Sequence, residues 1–464
     1  MRLGCRWTLV ATTLLLAGCA TVVRPPVLPP PPPQPPASEV APEASTYRGP
    51  ADAPRVLDAI DKKLAARQAT AADLSTPDLS TYSGLLLAAG RLPEAEQAFV
   101  LLDARKPRDR NVMVTLALLA GARGDTATEA TRVAALDAAF PGDPQTGNLK
   151  ARLLLARGDK PGAKAAWQAV LAGREDVDAL TGLANLALDA KRPQEALPFA
   201  DRAVKAAPND DQTWALRARA EDDLTQYMAA CDDLNKAVAL APDDPWHHLD
   251  RGKLAWLHLY DTTLAQADLE FATIKLPDNF FGWSGLAEVY EELQRPRQAY
   301  DAWMKALSLR PDYRFGYPSA AMLSFRYQDF PRAAAYAREA AKDYPAEYGF
   351  PFVEALSLKA MGKGAEATAV LQKARPRFTR GSTVDEFFRF LLTTGSGADY
   401  FFNAAMNLEK QDTVRLRLRF YQGCYYALTK SPGAAKAAFD EVGASELIKI
   451  PEIGAARDWA EYGF

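Results

Sequence analysis

The sequence predicts an all-α protein built as a solenoid of antiparallel helix pairs. The first observation is a period: along 464 residues, prolines recur every 34 or 35 residues, with one member missing near Glu175. These prolines are Pro107, Pro141, Pro208, Pro242, Pro277, Pro311 and Pro345. The second observation is the pattern between them, which is typical of a helix, a short turn and a second helix. Because such a pair cannot bury its apolar face alone, neighbouring pairs must stack.

Composition agrees with a large folded body and excludes several other classes of protein. Hydrophobic residues make up 48% of the chain and charged residues 24%, which is ordinary for a globular protein. A formal net charge of −3 argues against a nucleic-acid partner, which would require a basic surface to replace phosphate counterions. Four cysteines in a chain of this length do not indicate a disulfide scaffold.

The first residues have the pattern of a secretion signal. Arg2 and Arg6 precede an apolar run over 7–17, which is too short to span a bilayer as a stable helix. Leu16-Ala17-Gly18-Cys19 follows and resembles the lipobox of bacterial lipoproteins. The resemblance implies a signal peptide over 1–18 and lipidation of Cys19. The residue after Cys19 is Ala20 rather than Asp, which in this family favours anchoring in the outer membrane. The alternative is an ordinary signal peptide with a chance cysteine.

A proline-rich stretch follows and is predicted to be a tether. Nine prolines fall between Pro25 and Pro36, and proline favours polyproline II because it fixes φ and cannot join a helix. At ~3.1 Å per residue these residues form a spacer of roughly 35–40 Å. We therefore interpret 19–50 as a lipidated tether and 51–75 as a helix leading into the body. A ligand for a proline-binding domain is the other interpretation of the tether.

One repeat, Phe280 to Tyr313, shows the packing logic best. Large side chains alternate with small ones on the two helices, so that the small residues let the helices approach and the large ones fill the gaps. The residues concerned are Trp283, Leu286, Ala287, Tyr290, Ala299, Trp303 and Ala306, and Pro311 ends the unit. This pattern resembles the tetratricopeptide repeat. The resemblance implies a right-handed superhelix with about nine repeats over 76–381, in which the first helices line a concave groove that binds protein segments.

The end of the chain departs from the repeat. Residues 382–414 are helical in pattern but lack the signature, whereas 415–442 return to it with Tyr421, Gly423 and Tyr426. We interpret 382–464 as a divergent helical region with a final repeat-like hairpin that caps the stack.

Aromatic residues indicate where a partner would bind. Residues 51–210 contain five aromatic residues and residues 246–352 contain 21. Aromatic side chains dominate binding hot spots, because they supply large contact area at low entropic cost. The predicted groove residues are Trp246, Leu249, Lys253, Trp256, Phe281, Glu288, Glu291, Phe315, Met322, Phe325, Phe352 and Lys359. The alternative is that these residues pack against each other or against the divergent C-terminal helices.

No motif indicates catalysis, a metal site or a cofactor. The histidines are His247, His248 and His258, and the spacings of serine hydrolases, zinc proteases and phosphate-binding loops do not occur in the sequence. Cys231 and Cys424 are expected to be buried and unpaired. A hydrolase hidden in 382–464 is disfavoured because that region has few candidate acids or nucleophiles.

These observations predict a non-enzymatic, lipid-anchored adaptor that faces the periplasm and recruits other envelope proteins, with no small-molecule substrate. The alternative function is glycan or peptidoglycan binding, with the aromatic groove stacking on sugars.

Overall fold

The computed structural model describes residues 47–393, 398–445 and 450–464. These residues form 24 α-helices and no β-strand, so the predicted all-α fold is confirmed. The predicted signal peptide, Cys19 and most of the tether lie outside the described residues. Within the described part, no helix combines the length and the apolar character needed to cross a membrane. The helices belong to two compact units, which divide after Ala241.

The first unit consists of a leading helix and five helix pairs. Its helices are α1 (Ala53–Ala66), α2 (Thr76–Ala88), α3 (Leu92–Arg105), α4 (Arg110–Ala122), α5 (Thr126–Ala139), α6 (Pro144–Ala156), α7 (Lys160–Gly173), α8 (Val177–Asp189), α9 (Pro193–Ala206), α10 (Asp211–Asp223) and α11 (Tyr227–Leu240). Each pair packs on the next pair along the chain.

The second unit contains four pairs followed by five further helices. The pairs are formed by α12 (Pro245–Leu254), α13 (Thr262–Lys275), α14 (Phe280–Glu292), α15 (Pro296–Leu309), α16 (Tyr317–Arg326), α17 (Phe330–Asp343), α18 (Gly349–Ala360) and α19 (Gly364–Ala374). The remaining helices are α20 (Thr383–Leu392), α21 (Ala398–Leu408), α22 (Asp412–Leu428), α23 (Pro432–Gly443) and α24 (Pro451–Tyr462). In both units, consecutive helices pack on each other as pairs, as the sequence predicts.

The sequence sets the helix boundaries through caps and prolines. Aspartate side chains accept hydrogen bonds from first-turn N–H groups that have no partner within the helix. These aspartates are Asp109, Asp125, Asp143, Asp159, Asp176, Asp210, Asp244, Asp261 and Asp329. Each of the seven periodic prolines lies two residues after the last residue of a helix, as expected for a residue that cannot continue it.

The turn inside each pair depends on one residue in the left-handed region. In the nine pairs this residue has φ between 56° and 82°. The residues are Gly90, Gly124, Gly158, Lys191, Thr225, Tyr260, Gln294, Gln328 and Gly362. Four are glycines, for which this conformation carries no steric cost, and the other five accept the strain that a side chain adds.

The pair α12/α13 differs because it contains one residue more than its neighbours. Pro242 and Pro277 are 35 residues apart rather than 34, and the structure accommodates the extra residue in a π-helical turn, Ala255–Leu259, that continues α12. Such turns are rare and often occur at functional sites. Trp256 lies in this turn.

The predicted packing of the 280–313 repeat is present. Ala287, Ala299 and Ala306 are completely buried, and Trp303 and Tyr290 fill the space around them. Trp283 packs against this core while partly exposed, and its indole N–H donates to the carbonyl oxygen of Pro277 at 2.9 Å. Cys231 and Cys424 are both buried, in different units.

Arg217 stands where the repeat normally has an apolar residue. Its guanidinium donates to both carboxylate oxygens of Asp233, at 2.6 and 2.8 Å, and to Asp201 at 3.2 Å. Because the charge is paired, it can occupy a partly buried position. Burial, together with Asp233, raises the pKa of the neighbouring Glu221 to about 7.

The last helices pack on the first helices of the preceding pairs. Helix α22 contacts α18, and α24 contacts α16, α22 and α23. The divergent region therefore covers part of the surface on which the sequence predicts a groove.

Candidate functional site

The twelve predicted groove residues all lie on the first helices of the second unit or on turns that adjoin them. They do not share one environment, because the chain's own C-terminal helices cover those on α16 and α18. The residues on α12 and α14 are not covered in this way.

Phe325 is wrongly predicted as a partner-binding residue. It is completely buried on α16, and four rings surround it with centroids 5.4–6.4 Å away: Phe330, Phe420, Trp459 and Phe464. Three of these rings come from α22, α24 and the C-terminus. The alternative interpretation, packing against the divergent C-terminal helices, is correct for this residue.

Phe352 and Leu249 are also core residues rather than groove residues. Phe352 is completely buried, with its ring centroid 4.8 Å from Phe387 and 4.6 Å from Phe388. Leu249 is 4% exposed and faces the start of α14 at Gly282. A residue without exposed surface cannot provide contact area to a partner.

Met322 and Lys359 are engaged by α22 but keep some exposure. The sulfur of Met322 lies 4.0 Å from the Tyr421 hydroxyl, and the Lys359 ammonium lies 5.3 Å from the ring centroid of Tyr425. Both residues therefore belong to the contact between the repeats and the C-terminal region.

A buried polar network fixes this covering layer. Arg417 on α22 donates to Glu347 at 2.8 Å and to Glu452 at 2.7 Å, and the Tyr421 hydroxyl donates to Glu452 at 2.8 Å. Burial and Glu452 raise the pKa of Tyr421, so its hydroxyl remains a donor. These hydrogen bonds join α22 to α24 and to the segment before α18.

The residues that remain uncovered form what we call the α12–α14 face: Trp246, Lys253, Trp256, Phe281 and Glu288. All five are partly exposed. Phe281, Gly285 and Glu288 occupy one side of α14, because residues four and three apart share a helical face. Lys253 and Trp256 project from α12 and its π turn.

Trp256 approaches α14 at Gly285. A Cβ atom at that position would lie 3.6 Å from the Trp256 ring and 3.3 Å from Leu269. A larger side chain would compete with the indole for this space, so Gly285 lets the Trp256 ring pack on the helix. Sequence reasoning missed Gly285, although the extra residue in this repeat was a signal that the turn beside it is unusual.

Lys253 packs over the ring of Phe281, at the other end of the α12–α14 face. Its ammonium lies 5.8 Å from the centroid of Phe281, a cation–π distance. The chain thus supplies its own cation to this aromatic side chain.

Glu288 and Glu291 form an acidic end. Glu291 is fixed, because its carboxylate accepts hydrogen bonds from the Trp303 indole N–H and, at 3.0 Å, from the Ser319 hydroxyl. Burial raises the pKa of Glu291 while both hydrogen bonds lower it. Burial, with a smaller contribution from Glu291, raises the pKa of Glu288 to about 8.

Phe315 lies at the edge of the face, on the turn before α16. It is 42% exposed, and its ring centroid is 5.6 Å from that of Tyr313. Tyr313 in turn packs on Phe280 at 4.8 Å, and Arg310 covers the Phe280 ring at 4.7 Å. Tyr313, which the sequence prediction did not include, links Phe315 to the core.

No family model matches this chain, and no curated protein matches it. Solved structures with similar folds include PilF of Pseudomonas aeruginosa, at 14% identity over 45% of this chain and 94% of that one, with a TM-score of 0.42. A tetratricopeptide repeat protein of Parabacteroides merdae is 14% identical over 53% and 98%, with a TM-score of 0.38. A thermophilic repeat protein of Thermus thermophilus is 24% identical over 39% and 98%, with a TM-score of 0.31.

Proposed function

We propose that this protein is a non-enzymatic interaction scaffold that binds a segment of a partner protein on the α12–α14 face. The observation that carries the proposal is the contrast within the second unit. The first helices α16 and α18 are covered by the chain's own C-terminal helices, whereas α12 and α14 keep aromatic and charged side chains uncovered. Partly exposed Trp and Phe side chains beside charged groups are the composition of binding hot spots.

We further propose that the scaffold is held at the bacterial membrane and faces the periplasm. This part rests on the N-terminal sequence, in which Cys19 follows a short apolar run and precedes the proline-rich tether. Several acyl chains hold a protein firmly on a bilayer, whereas one chain holds it only marginally. The partners would then be envelope proteins, and the absence of Asp after Cys19 favours the outer membrane.

The anchor is tested by metabolic labelling with an alkyne-bearing fatty acid. We expect the label on the wild-type protein and none on Cys19→Ala, which should leave the membrane fraction. A variant that still carries the label, or a wild-type protein without it, contradicts lipidation at Cys19. Separation of inner and outer membranes then identifies the membrane.

The binding face is tested by photo-crosslinking in living cells. A photoreactive phenylalanine at Phe281 should form adducts with a discrete protein. The same residue at Ile274 is the matched control, because Ile274 is 76% exposed on α13, the second helix of its pair. Equal adducts at both positions, or none at Phe281, contradict binding on the α12–α14 face.

A glycan-binding function is the second candidate, favoured by the partly exposed rings of Trp256 and Phe281. Aromatic faces of this kind also stack on sugars. Sedimentation of the purified protein with peptidoglycan freed of protein separates the two functions. Binding that is lost in Trp256→Ala supports the glycan function, and no sedimentation supports the scaffold.

A further inference from the structure

The carboxyl group of Glu288 lies on α14, beside that of Glu291. It forms no hydrogen bond and no ion pair with any residue that the structure describes, although it is partly buried. The only charge that acts on it appreciably is that of Glu291, which has the same sign. The carboxyl group keeps some exposure to solvent, and burial makes its ionisation unfavourable unless a cation comes close.

The charged groups near Glu288, in contrast, have partners within the protein. Glu291 is satisfied by Trp303 and Ser319, and Lys253 lies over the ring of Phe281. Phe281 and Glu288 are seven residues apart on α14, which separates their backbones by roughly 10 Å along the helix. Among the described residues, a cation, Lys253, therefore lies beside Phe281 at one end of the α12–α14 face, and none pairs with Glu288 at the other end.

We infer that the partner segment presents a lysine or arginine side chain to Glu288, with apolar residues beside it that contact Trp256 and Phe281. This inference rests on the proposed function and specifies the chemistry of the partner. The cation would supply the hydrogen-bond donor and the positive charge that the Glu288 carboxyl group lacks. Glu291, held nearby by its own hydrogen bonds, would add to the attraction.

Electrostatics favours a cationic over an anionic side chain beside Glu288. A cationic side chain stabilises the ionised form of Glu288 and so counteracts the effect of burial, and this attraction is stronger in a partly desolvated site than in bulk water. The π turn contributes by placing Trp256 against Gly285, next to Glu288 on the same side of α14. An aromatic surface beside a carboxyl group suits the aliphatic stem and the charged end of lysine or arginine.

The test uses the full-length protein purified in detergent and a phage-displayed library of random peptides. We expect the wild-type protein to enrich peptides in which Lys or Arg is adjacent to apolar residues. Glu288→Gln keeps the size of the side chain and should reduce affinity for these peptides by about tenfold, the effect of losing one charge-assisted hydrogen bond. Glu288→Lys should instead enrich acidic peptides.

Glu292→Gln is the matched control, since Glu292 is an exposed acid on the same helix. It should leave the selected peptides and their affinity unchanged. Peptides that bind Glu288→Gln as well as the wild-type protein, or an enriched set without basic residues, overturn the inference but leave peptide binding intact. Enrichment of no peptide at all contradicts the proposed function itself. Thermal unfolding of each variant verifies that the fold is retained.

Discussion

The two units bury their apolar residues in different ways. The first unit has four separate clusters of buried side chains, composed mainly of Ala, Leu and Val, each confined to neighbouring helices. The second unit has one continuous cluster from Leu249 to Trp459, in which Phe, Tyr and Trp are abundant. The buried side chains of the first unit thus contact only neighbouring helices, whereas in the second unit the last helices also contact helices much earlier in the chain.

The reason for this difference is the path of the chain after α19. Helices α22 and α24 return to first helices that lie far earlier in the sequence, so Phe325 meets Trp459 across 133 intervening residues. In a linear repeat array, each unit contacts only its neighbours and stability is a sum of local terms. Contacts between distant segments are expected to make the second unit more cooperative, and within that unit they cover the first helices α16 and α18 but not α12 and α14.

The largest effect is expected from Phe325→Ala. Replacement of a buried Phe by Ala typically costs about 3–5 kcal/mol, because apolar contact is lost and a cavity remains. Denaturant unfolding should show this loss, and hydrogen exchange should accelerate together in α16, α22 and α24. A variant as stable as the wild type would mean that the C-terminal helices do not cover α16.

A pair of matched substitutions compares the two cores directly. Leu136 in the first unit and Leu418 in the second are both completely buried, and Leu→Ala at such sites costs about 2–5 kcal/mol. After Leu136→Ala we expect faster hydrogen exchange only in α4–α6, the helices of its cluster. After Leu418→Ala the faster exchange should extend through α16–α24. If the faster hydrogen exchange extends over the same number of helices in both variants, the two units do not differ in how their cores are connected.

Glu288 is expected to make the stability of the second unit depend on pH. The pKa of this group is raised from its ordinary value of 4.5 to about 8, so between these values the folded state binds more protons than the unfolded state. Unfolding free energy must then fall as pH rises through this window. The loss should be on the order of a few kcal/mol, since one pKa unit corresponds to about 1.4 kcal/mol.

The control for this experiment is Glu288→Gln, which cannot ionise at that position. Chemical denaturation at pH 5 and at pH 8 should show a smaller difference for the variant than for the wild type. The same difference in both proteins would mean that Glu288 does not have a raised pKa.

The smallest effect on stability is expected from Trp256→Ala. This side chain is partly exposed, so its removal should cost about 1 kcal/mol, near the average for point substitutions. Crosslinking from Phe281 to a partner should nevertheless be lost, because the aromatic surface of the α12–α14 face is gone. If the variant unfolds, Trp256 belongs to the core. If the variant crosslinks like the wild type, Trp256 is not part of the proposed binding surface.

Much of the fold could be predicted because its determinants are local. The prolines, the aspartate caps and the left-handed turn residues act within a few positions of themselves, and they recur with the repeat. The buried Ala and Trp residues of 280–313 follow from the same period. The proposed α12–α14 face was predicted less well, because Trp256 occupies the same repeat position as Phe325, which is buried, and Glu288 the same position as Met322, which α22 contacts.

The sequence by itself determined that this chain forms stacked helix pairs, and its seven periodic prolines determined where the second helix of seven pairs ends, since these features depend on short-range sterics and hydrogen bonding. Only the tertiary structure decided which first helices remain uncovered. That outcome depends on the return of α22 and α24 to α16 and α18, and such long-range packing leaves no periodic signal in the sequence. For the same reason, only the structure distinguishes the two carboxyl groups. That of Glu291 accepts hydrogen bonds from Trp303 and Ser319, whereas that of Glu288 has no hydrogen-bond partner among the described residues.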